Sequence, residues 1–432
     1  MKTWREEARD LPVAGDVDVL VAGAGPAGFA AAVCAARMGA RTMLVEQAGA
    51  VGGMATVGLM SHWTGATRGG FYDELLGKSA DLGGEFEGGD ARQIIDPEKL
   101  KTVMLEMLEE AGAGVRLYSF VAGPVMDGRK VAGIITESKS GREVFLAQVV
   151  IDATGDGDVA SRAGVPFKQG RANDGSMQPA TIMFKVGGVD TSKAVFPGGF
   201  EDTFQVPEGD LQTLGRKHLP HPAGHVLLYR SSLPGVVTCN MTNCTGVDGT
   251  KTEDLTRAER ICRGQMEAIV GFLRKYVPGF GKCYLLSSAS LIGIRETRHF
   301  EGEYTLTDKD ILEAKVFDDW AVTKAHFNFD VHSLTGAGLD ETGLQKYFPQ
   351  ERGYTIPYRC LVPRNIEGLL LAGRNISGTH LAHSSFRVMP ICANMGQAAG
   401  IAAALSVRLG VAPRALPVVE LQKALRKQGV EP

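Results

Sequence analysis

Apolar and polar positions near the beginning of the chain predict two buried strands with a helix between them. Residues 17–22 (VDVLVA) form a short apolar run of the buried-strand type, and a similar run, RTMLVE, covers residues 41–46. An Ala-rich stretch of helical character, PAGFAAAVCAARMGA, lies between the two runs and follows a glycine-rich turn. This order of strand, turn, helix and strand predicts a βαβ unit.

The next apolar patterns predict a helix and a three-stranded β meander. Residues 98–112 carry Leu and Met at helical spacing. The runs at 115–126, 130–138 and 143–154 are typical of strands, and turn residues in DG and SG separate them. The last of these runs ends in Ala-Thr-Gly-Asp.

The pattern changes after about residue 165. Short strand-like segments mix with frequent Gly and Pro, and a helix is predicted near 252–275. A buried strand returns at 366–373, and the loop RNISGTHLAHSSFRVMP leads from it into a charge-free helix over 388–407.

These patterns predict an α/β fold of two domains. A discontinuous first domain covers residues 1–164 and 361–432 and has a Rossmann-like parallel sheet plus the meander. An inserted α+β domain covers residues 165–360.

Charge and cysteine content exclude several classes of protein. The chain has 46 Lys plus Arg and 49 Asp plus Glu, a net charge of −3. This balance argues against nucleic-acid binding and against a polybasic membrane binder. The seven cysteines include no C-x-x-C pair, and the N-terminal residues have no apolar signal-peptide core, so we expect reduced thiols and a cytoplasmic location. The charge-free stretch over 388–407 contains Pro390, Asn394 and Gln397, which favours a helix buried in protein over a membrane span.

The strongest motif is Gly23-x-Gly25-x-x-Gly28 together with Glu46. In a βαβ unit, Gly23 makes the tight turn, Gly25 lets the backbone approach a pyrophosphate, and Gly28 lets helix and strand pack closely. The helix N-terminus favours the phosphates, and Glu46 ends the second strand, where it is placed to accept from ribose hydroxyls. The pattern predicts dinucleotide binding and disfavours a 2′-phosphate.

Further glycine clusters favour FAD over NAD. Gly52-Gly53 follows Glu46, Ala153-Thr154-Gly155-Asp156 ends a strand, and Gly373-Arg374 follows another. The helix through Gly396 would direct its N-terminus at the flavin pyrimidine, where negative charge develops on reduction. The candidate cofactor-binding residues are Gly23, Gly25, Pro26, Ala27, Gly28, Glu46, Gln47, Gly52, Gly53, Met54, Ala55, Thr56, His62, Val121, Ala153, Thr154, Gly155, Asp156, Gly373, Arg374, Met395 and Gly396.

These segments, together with RETR at 295–298 and THLAHSSFRVMP at 379–390, resemble glutathione-reductase-type flavoproteins. More closely, the chain resembles the family called FAD-dependent oxidoreductase, over about residues 16–405. The resemblance implies non-covalently bound FAD and a substrate domain over the flavin. No second GxGxxG in a βαβ context follows, so a built-in NAD(P)H domain is not expected, and a separate electron donor or acceptor is possible.

Four residues are candidates for catalysis. His380 and His383 precede the helix that should face the flavin, and either could act as an acid or base; each could equally be a structural histidine. Arg387 could bind an anionic substrate or form a salt bridge to the inserted domain. Arg295 of RETR could reach a cleft or join an ion network at the domain interface. A His-x-x-His zinc site lacks an obvious third ligand, so we expect no metal.

His62 follows Ser61 after the second glycine loop, and either flavin contact or covalent attachment is open for it. We expect hydride transfer between a small polar organic substrate and flavin N5. The alternatives are an NAD(P)H-dependent flavin monooxygenase and a non-redox dinucleotide-holding protein of the thiazole-synthase type. A homo-oligomer is also open.

Overall fold

The computed structural model describes residues 2–82, 93–197, 202–340 and 352–432. In chain order the strands of these ranges are β1 (Val13–Ala22), β2 (Thr42–Val45), β3 (His62–Trp63), β4 (Ala80–Leu82), β5 (Gln93–Ile95), β6 (Gly114–Arg116), β7 (Phe120–Asp127), β8 (Lys130–Ser138), β9 (Gly141–Asp152), β10 (Phe167–Gln169), β11 (Phe184–Gly187), β12 (Gln205–Val206), β13 (Gly209–Asp210), β14 (Leu228–Arg230), β15 (Val237–Cys239), β16 (Tyr284–Ser288), β17 (Arg298–Phe300), β18 (Trp320–Ala325), β19 (Tyr354–Pro357) and β20 (Leu369–Leu371). The α-helices are α1 (Pro26–Arg37), α2 (Phe71–Ser79), α3 (Pro97–Ala111), α4 (Asp158–Arg162), α5 (Leu211–His218), α6 (Thr252–Tyr276), α7 (Asp308–Leu312), α8 (His380–Phe386), α9 (Met389–Leu409) and α10 (Val418–Arg426). Short 3-10 helices cover Gly53–Ala55, Tyr358–Cys360 and Pro413–Ala415.

A mostly parallel sheet confirms the predicted α/β fold. Its strand order is β6–β2–β1–β9–β8–β7, and β20 also pairs with β9. Val21 of β1 lies between Leu44 of β2 and Ile151 of β9, all in parallel register. The end of β1 is buried on both faces, which explains its continuous apolar run. The carboxyl ends of β1, β2, β9 and β20 meet at one edge of the sheet, where α/β folds bind ligands.

One predicted strand is two strands in the structure. The run at 115–126 divides into β6, which pairs with β2 at one edge of the sheet, and β7, which pairs with β8 at the other edge. Tyr118 lies between them with φ of 54° and donates its N–H to the Ala48 carbonyl. This left-handed residue breaks the strand, and no glycine marks it in the sequence.

The apolar helix α9 packs against α1 inside the protein. A Cβ on Gly396 would lie 2.0 Å from the Ala27 carbonyl oxygen, and one on Gly400 would lie 2.2 Å from that of Ala31. Glycine at these positions therefore lets the two helix backbones approach closely. Among the described residues, α9 is the one helix with the length and hydropathy of a membrane span, and 94% of its apolar window is buried inside the protein.

A short helix replaces part of the loop predicted before α9. Residues 380–386 form α8, whose first turn is capped by the Thr379 side chain, which accepts from the Ala382 N–H at 3.3 Å. The prediction of a loop was wrong here because seven residues are too few to show an apolar stripe.

A second hydrophobic core forms around the antiparallel sheet β14–β15–β11–β16. Phe184 of β11 pairs with Cys239 of β15 on one side and with Ser288 of β16 on the other. The long helix α6 contributes buried side chains to this core. Apolar side chains from Phe300 to Val362 belong instead to the first core, around the parallel sheet. The predicted domain boundaries stay a prediction.

Candidate functional site

The turn between β1 and α1 leaves open space at only one of its three glycines. A Cβ on Gly23, whose φ is 91°, would lie 2.5 Å from the Ala153 carbonyl oxygen, and a Cβ on Gly28 would lie 1.8 Å from that of Gly23. A Cβ on Gly25 would meet no atom within 4 Å. Gly25 is the N-cap residue of helix α1, so the helix has no side-chain cap. Open space beside uncapped N–H groups is the arrangement that binds phosphate.

Glu46 lies beside this turn, at the end of β2. Its Oε2 accepts the Ala24 N–H at 2.7 Å, and its Oε1 accepts the Ala48 N–H at 2.8 Å. Burial raises the pKa of the carboxyl above its usual value, although these backbone donors oppose the shift. Each carboxylate oxygen keeps a lone pair for a hydroxyl donor. The Ser119 N–H donates to the Glu46 carbonyl, so the start of β7, with Val121, also lies here.

The second glycine loop lies directly against the first turn. The Gly52 N–H donates to the Ala24 carbonyl at 2.7 Å. A Cβ on Gly53 would lie 3.0 Å from the Gly25 Cα. The Thr56 hydroxyl donates to the Val51 carbonyl at 2.5 Å and so closes the loop on itself.

Asp152, at the end of β9, is a buried carboxylate that sequence reasoning missed. Its Oδ1 accepts from the Thr154 hydroxyl at 2.7 Å, and its Oδ2 accepts from the Ala160 N–H at 2.8 Å. Burial raises the pKa of this carboxyl to about 6. These bonds fix the turn at Ala153–Gly155 next to β1. Sequence reasoning missed Asp152 because its apolar neighbours in the run VVID make the segment look like an ordinary strand end.

Asp156 connects its own cluster, Ala153-Thr154-Gly155-Asp156, with the cluster Gly373-Arg374. Its Oδ1 accepts from Arg374 Nη2 at 2.7 Å and from the Thr297 hydroxyl at 2.6 Å. Gly373, with φ of 101°, lies against α1, since its Cβ would be 3.3 Å from that of Ala27. All four glycine clusters predicted from the sequence therefore meet at the start of α1.

The residues present fit a cofactor as long as FAD. Gly25 offers space for a pyrophosphate, and Glu46 offers acceptors for ribose hydroxyls. Nη1 of Arg374 is buried and has no hydrogen-bond partner in the part of the chain that the structure describes, so it is available to an acceptor group of the cofactor. Bound FAD would supply an N5 atom that accepts and returns a hydride.

Three of the predicted cofactor-binding residues, His62, Met395 and Gly396, lie outside the four glycine clusters. His62 lies in β3, and its ring stacks on that of Tyr229 with centroids 3.2 Å apart. Met395 and Gly396 lie within α9 rather than at its start, and packing on α1 explains the glycine. The uncapped N-terminus of α9 is at Val388. The remaining predicted positions belong to the clusters already described: Pro26 begins α1, Gln47 follows Glu46, and Met54 and Ala55 lie in the second loop.

Two of the four predicted catalytic residues lie around a carboxylate that the prediction did not include. Oε1 of Glu296 is 2.5 Å from His380 Nδ1 and 2.7 Å from His299 Nε2. Burial disfavours the ionised form of Glu296, but the hydrogen bonds from the two imidazoles outweigh it and hold the pKa well below its usual range. The rings of His299 and His383 meet edge to face at 4.7 Å. Burial, followed by the neighbouring His299, lowers the pKa of His383 well below its usual value, so His383 is neutral.

This cluster also has the composition of a metal site. The ligand-type atoms of Glu296, His299 and His380 lie within 4.8 Å of one another. Because one carboxylate oxygen contacts both imidazoles at hydrogen-bond distance, we describe the cluster as hydrogen bonded. The ring nitrogens that face away from Glu296, Nδ1 of His299 and Nε2 of His380, are buried and have no hydrogen-bond partner within residues 2–82, 93–197, 202–340 and 352–432.

Arg387 forms the salt bridge that the sequence left as an alternative. Its Nη2 lies 2.7 Å from Asp330 Oδ2, and His332 Nε2 lies 3.3 Å from the same oxygen. The pKa of Asp330 is below its usual range, since His332 and Arg387 outweigh its burial. Gln178 links the Asp330 cluster to the Glu296 cluster. Its side-chain Oε1 accepts the backbone N–H of His332 at 3.2 Å, and its backbone N–H donates to Oε2 of Glu296 at 3.2 Å.

Arg295 lines a small polar cavity that is partly open to solvent. His332 and His225 line the same cavity, together with Thr181 and Asn243. Nη1 of Arg295 donates to the Pro179 carbonyl at 2.6 Å and to the Thr181 hydroxyl at 2.8 Å. The cavity thus brings together side chains from sequence-distant parts of the chain, and Arg295 is the predicted catalytic residue among them.

The sequence missed several residues of this site for one reason. Glu296, Gln178, Asp330 and Asn243 lie outside any motif with fixed spacing, and the fold alone brings them together. Glu296 had a faint signal, because it stands between two arginines in RETR after a strand.

A parallel sheet with a glycine turn and an acidic residue at its carboxyl edge is the arrangement of dinucleotide-binding proteins. The chain belongs to the FAD dependent oxidoreductase family, whose model matches residues 18–425. FAD is therefore its cofactor, and it is an FAD-dependent oxidoreductase, as predicted. The finer glutathione-reductase-type label stays a prediction.

Individual relatives are more distant. The chain is 29% identical over 138 residues to a thioredoxin reductase from Listeria innocua, covering 31% of this chain and 41% of that protein. It is 27% identical over 220 residues to digeranylgeranylglycerophospholipid reductase 2 from Methanopyrus kandleri, covering 45% of this chain and 53% of that protein. The chain thus matches about half or less of the length of these two proteins. A solved geranylgeranyl bacteriochlorophyll reductase-like protein from Thermoplasma acidophilum aligns with a TM-score of 0.49 and 14% identity, covering 96% of this chain and 84% of that chain.

Proposed function

We propose that the protein transfers a hydride between a C–H bond of a small polar organic molecule and N5 of FAD, with the molecule bound in the Arg295 cavity. The observation that carries the proposal is that Thr181 of the cavity adjoins Gly293, which in turn lies beside Met54 of the second glycine loop. The Thr181 hydroxyl accepts from Arg295. The backbone of Thr181 forms an isolated antiparallel β-bridge with Gly293. A Cβ on Gly293 would lie 3.1 Å from Cε of Met54 in that loop.

His380 is the group that we propose takes the proton when the substrate loses its hydride. Its Nδ1 side is held by Glu296, so the proton on the ring of the neutral form resides there. Nε2 is then the basic nitrogen, and it is buried with no described residue as a hydrogen-bond partner. Oxidation of an alcohol carbon removes one hydride to the flavin and one proton to this nitrogen, which balances the reaction. Arg295 would orient the substrate, and Glu296 would stabilise the imidazolium that forms.

The test is anaerobic reduction of the FAD-loaded protein. Flavin absorbance is followed after addition of alcohols, hydroxy acids, amines or sugars, each without NAD(P)H. We expect at least one class to bleach the flavin, and we expect His380→Gln to slow the bleaching without release of FAD. The matched control is His221→Gln, since His221 is an exposed histidine of the 165–360 segment.

Each competing function gives a different result. Flavin that is reduced only by NADPH or NADH, with consumption stimulated by an organic substrate and O₂, would indicate a monooxygenase. A colourless protein that binds NAD or ADP-ribose and resists FAD would indicate a non-redox dinucleotide-holding protein.

A further inference from the structure

Arg295 is a partly buried cation, and it forms no salt bridge with a carboxylate of the residues that the structure describes. Its Nη1 donates to two neutral oxygens, the Pro179 carbonyl and the Thr181 hydroxyl. Burial, followed by repulsion from Arg387, lowers the pKa of this guanidinium to about 10, which still leaves it charged at neutral pH. A buried charge is unfavourable unless an opposite charge accompanies it.

The neighbouring groups do not supply that opposite charge. Asp330 attracts Arg295, but it forms its salt bridge with Arg387, at 2.7 Å. His332 is neutral, because burial and the charge of Arg295 lower its pKa to about 4. Two arginines and one carboxylate therefore leave one net positive charge beside the cavity.

A second group in the cavity lacks a partner. Asn243 donates from Nδ2 to the Gly336 carbonyl at 3.1 Å, which fixes the orientation of its amide. Its Oδ1 is then an acceptor, and it is buried without a hydrogen-bond partner among the described residues. Buried acceptors of this kind are normally satisfied, so a donor on a bound molecule is expected.

We propose that the cavity binds a small hydroxycarboxylate, with its carboxylate on Arg295 and a hydroxyl donating to Oδ1 of Asn243. The planar guanidinium matches a carboxylate in shape and charge. A hydroxyl suits the acceptor better than an ammonium, because the cavity already carries a net positive charge. The inference rests on the proposed function only in taking this molecule as the hydride donor; the binding itself is independent of turnover.

The experiment compares three probes on FAD-loaded protein by calorimetric titration. Acetate carries only the carboxylate, ethylene glycol carries only hydroxyls, and glycolate carries both. We expect glycolate to bind about tenfold more tightly than acetate, the value of one neutral hydrogen bond, and ethylene glycol to show no saturable binding.

Variants assign each group. Arg295→Gln should weaken the binding of glycolate and of acetate on the order of 100-fold, as expected when one partner of a desolvated charge pair is removed. Arg295→Lys should retain part of the affinity and guards against a folding defect in Arg295→Gln. Asn243→Ala should lower the affinity for glycolate to the affinity for acetate. Arg260→Gln, an exposed arginine of α6, should match the wild type.

Saturable glycolate binding that Arg295→Gln leaves unchanged would overturn the inference, as would absence of glycolate binding. In either case, bleaching of the flavin by a substrate without a carboxylate would keep the proposed hydride transfer. Glycolate binding with the predicted variant pattern, but with no hydroxycarboxylate able to bleach the flavin, would support this inference and contradict the proposed reaction.

Discussion

Nδ1 of His380 lies 2.5 Å from Oε1 of Glu296, although 84 positions separate the two residues in the chain. Glu296 is fully buried and His380 is the first residue of α8, so the fold alone creates the pair. The carboxylate fixes which imidazole nitrogen carries the proton and which is basic. In our account Glu296 is a positioning residue, and His380 is the group that contacts the reacting molecule.

Glu296→Gln should slow anaerobic flavin reduction on the order of 100-fold, because an amide does not stabilise the imidazolium as a carboxylate does. FAD content should stay at the wild-type level. The pH profile of the reduction rate should also move, which a purely structural role would not produce. Glu313→Gln, at the exposed end of α7, is the control. A variant with the wild-type pH profile would remove Glu296 from the mechanism.

The glycine turn gives a matched pair of substitutions. Gly25→Ala should leave the melting temperature of the apoprotein unchanged, since the added methyl meets open space, but should weaken FAD by filling the pyrophosphate space. Gly28→Ala would place a methyl 1.8 Å from a backbone oxygen. It should therefore lower the stability of the apoprotein, by roughly 1–3 kcal/mol as for other overpacked sites. Equal effects of the two substitutions on FAD affinity and stability would contradict the assignment of Gly25.

Glu46→Gln should weaken FAD binding by about 1.5–3 kcal/mol, the range for hydrogen bonds to a charged group. The amide nitrogen would also face a backbone N–H of Ala24 or Ala48 in place of an acceptor. Fluorescence titration of the apoprotein with FAD measures the change. Glu109→Gln, an exposed position of α3, should bind FAD like the wild type. Unchanged affinity in Glu46→Gln would show that the ribose is held elsewhere.

The lowered pKa of His332 predicts that the folded protein loses stability in acid. Burial and Arg295 lower its pKa to about 4 in the folded protein, against 6.5 for an ordinary histidine. Above pH 6.5 both states hold it neutral, but as the pH falls toward 4 the unfolded state binds a proton that the folded state does not. This contributes a loss of about 2 kcal/mol at pH 5.

The difference between wild type and His332→Gln isolates that contribution. Other buried groups titrate in the same range, and Asp152, with its raised pKa, acts in the opposite direction. Chemical denaturation at pH 7 and pH 5 should show a smaller loss for His332→Gln than for the wild type, while His221→Gln should show the wild-type loss. Identical losses in all three proteins would contradict the neutral state of His332.

The sequence predicted those parts of the molecule that local patterns encode. The apolar runs of β1 and β2 and the spacing of Gly23, Gly25 and Gly28 each depend on neighbours within a few residues. The structure brings them together with the clusters at Asp156 and Arg374. The division of 115–126 into two strands was missed because a left-handed Tyr118 has no compositional mark.

The polar interior was less predictable. Arg295, His380 and Arg387 were recognised as chemically capable residues, but their partners Glu296, Thr181 and Asp330 follow no spacing rule. Pairing of this kind arises from tertiary packing between the two cores, which a single sequence does not display. For the same reason the sequence left open whether Arg387 binds an anion or a salt-bridge partner.

The central claim is that the opening at Gly25, with Glu46 beside it, holds FAD. Equilibrium titration of the apoprotein with FAD and, separately, with NAD tests it most directly. We predict one FAD per chain, bound at least about tenfold more tightly than NAD, a difference of 1.4 kcal/mol or more. Binding of NAD with equal or higher affinity, or failure of FAD to bind, would contradict the account.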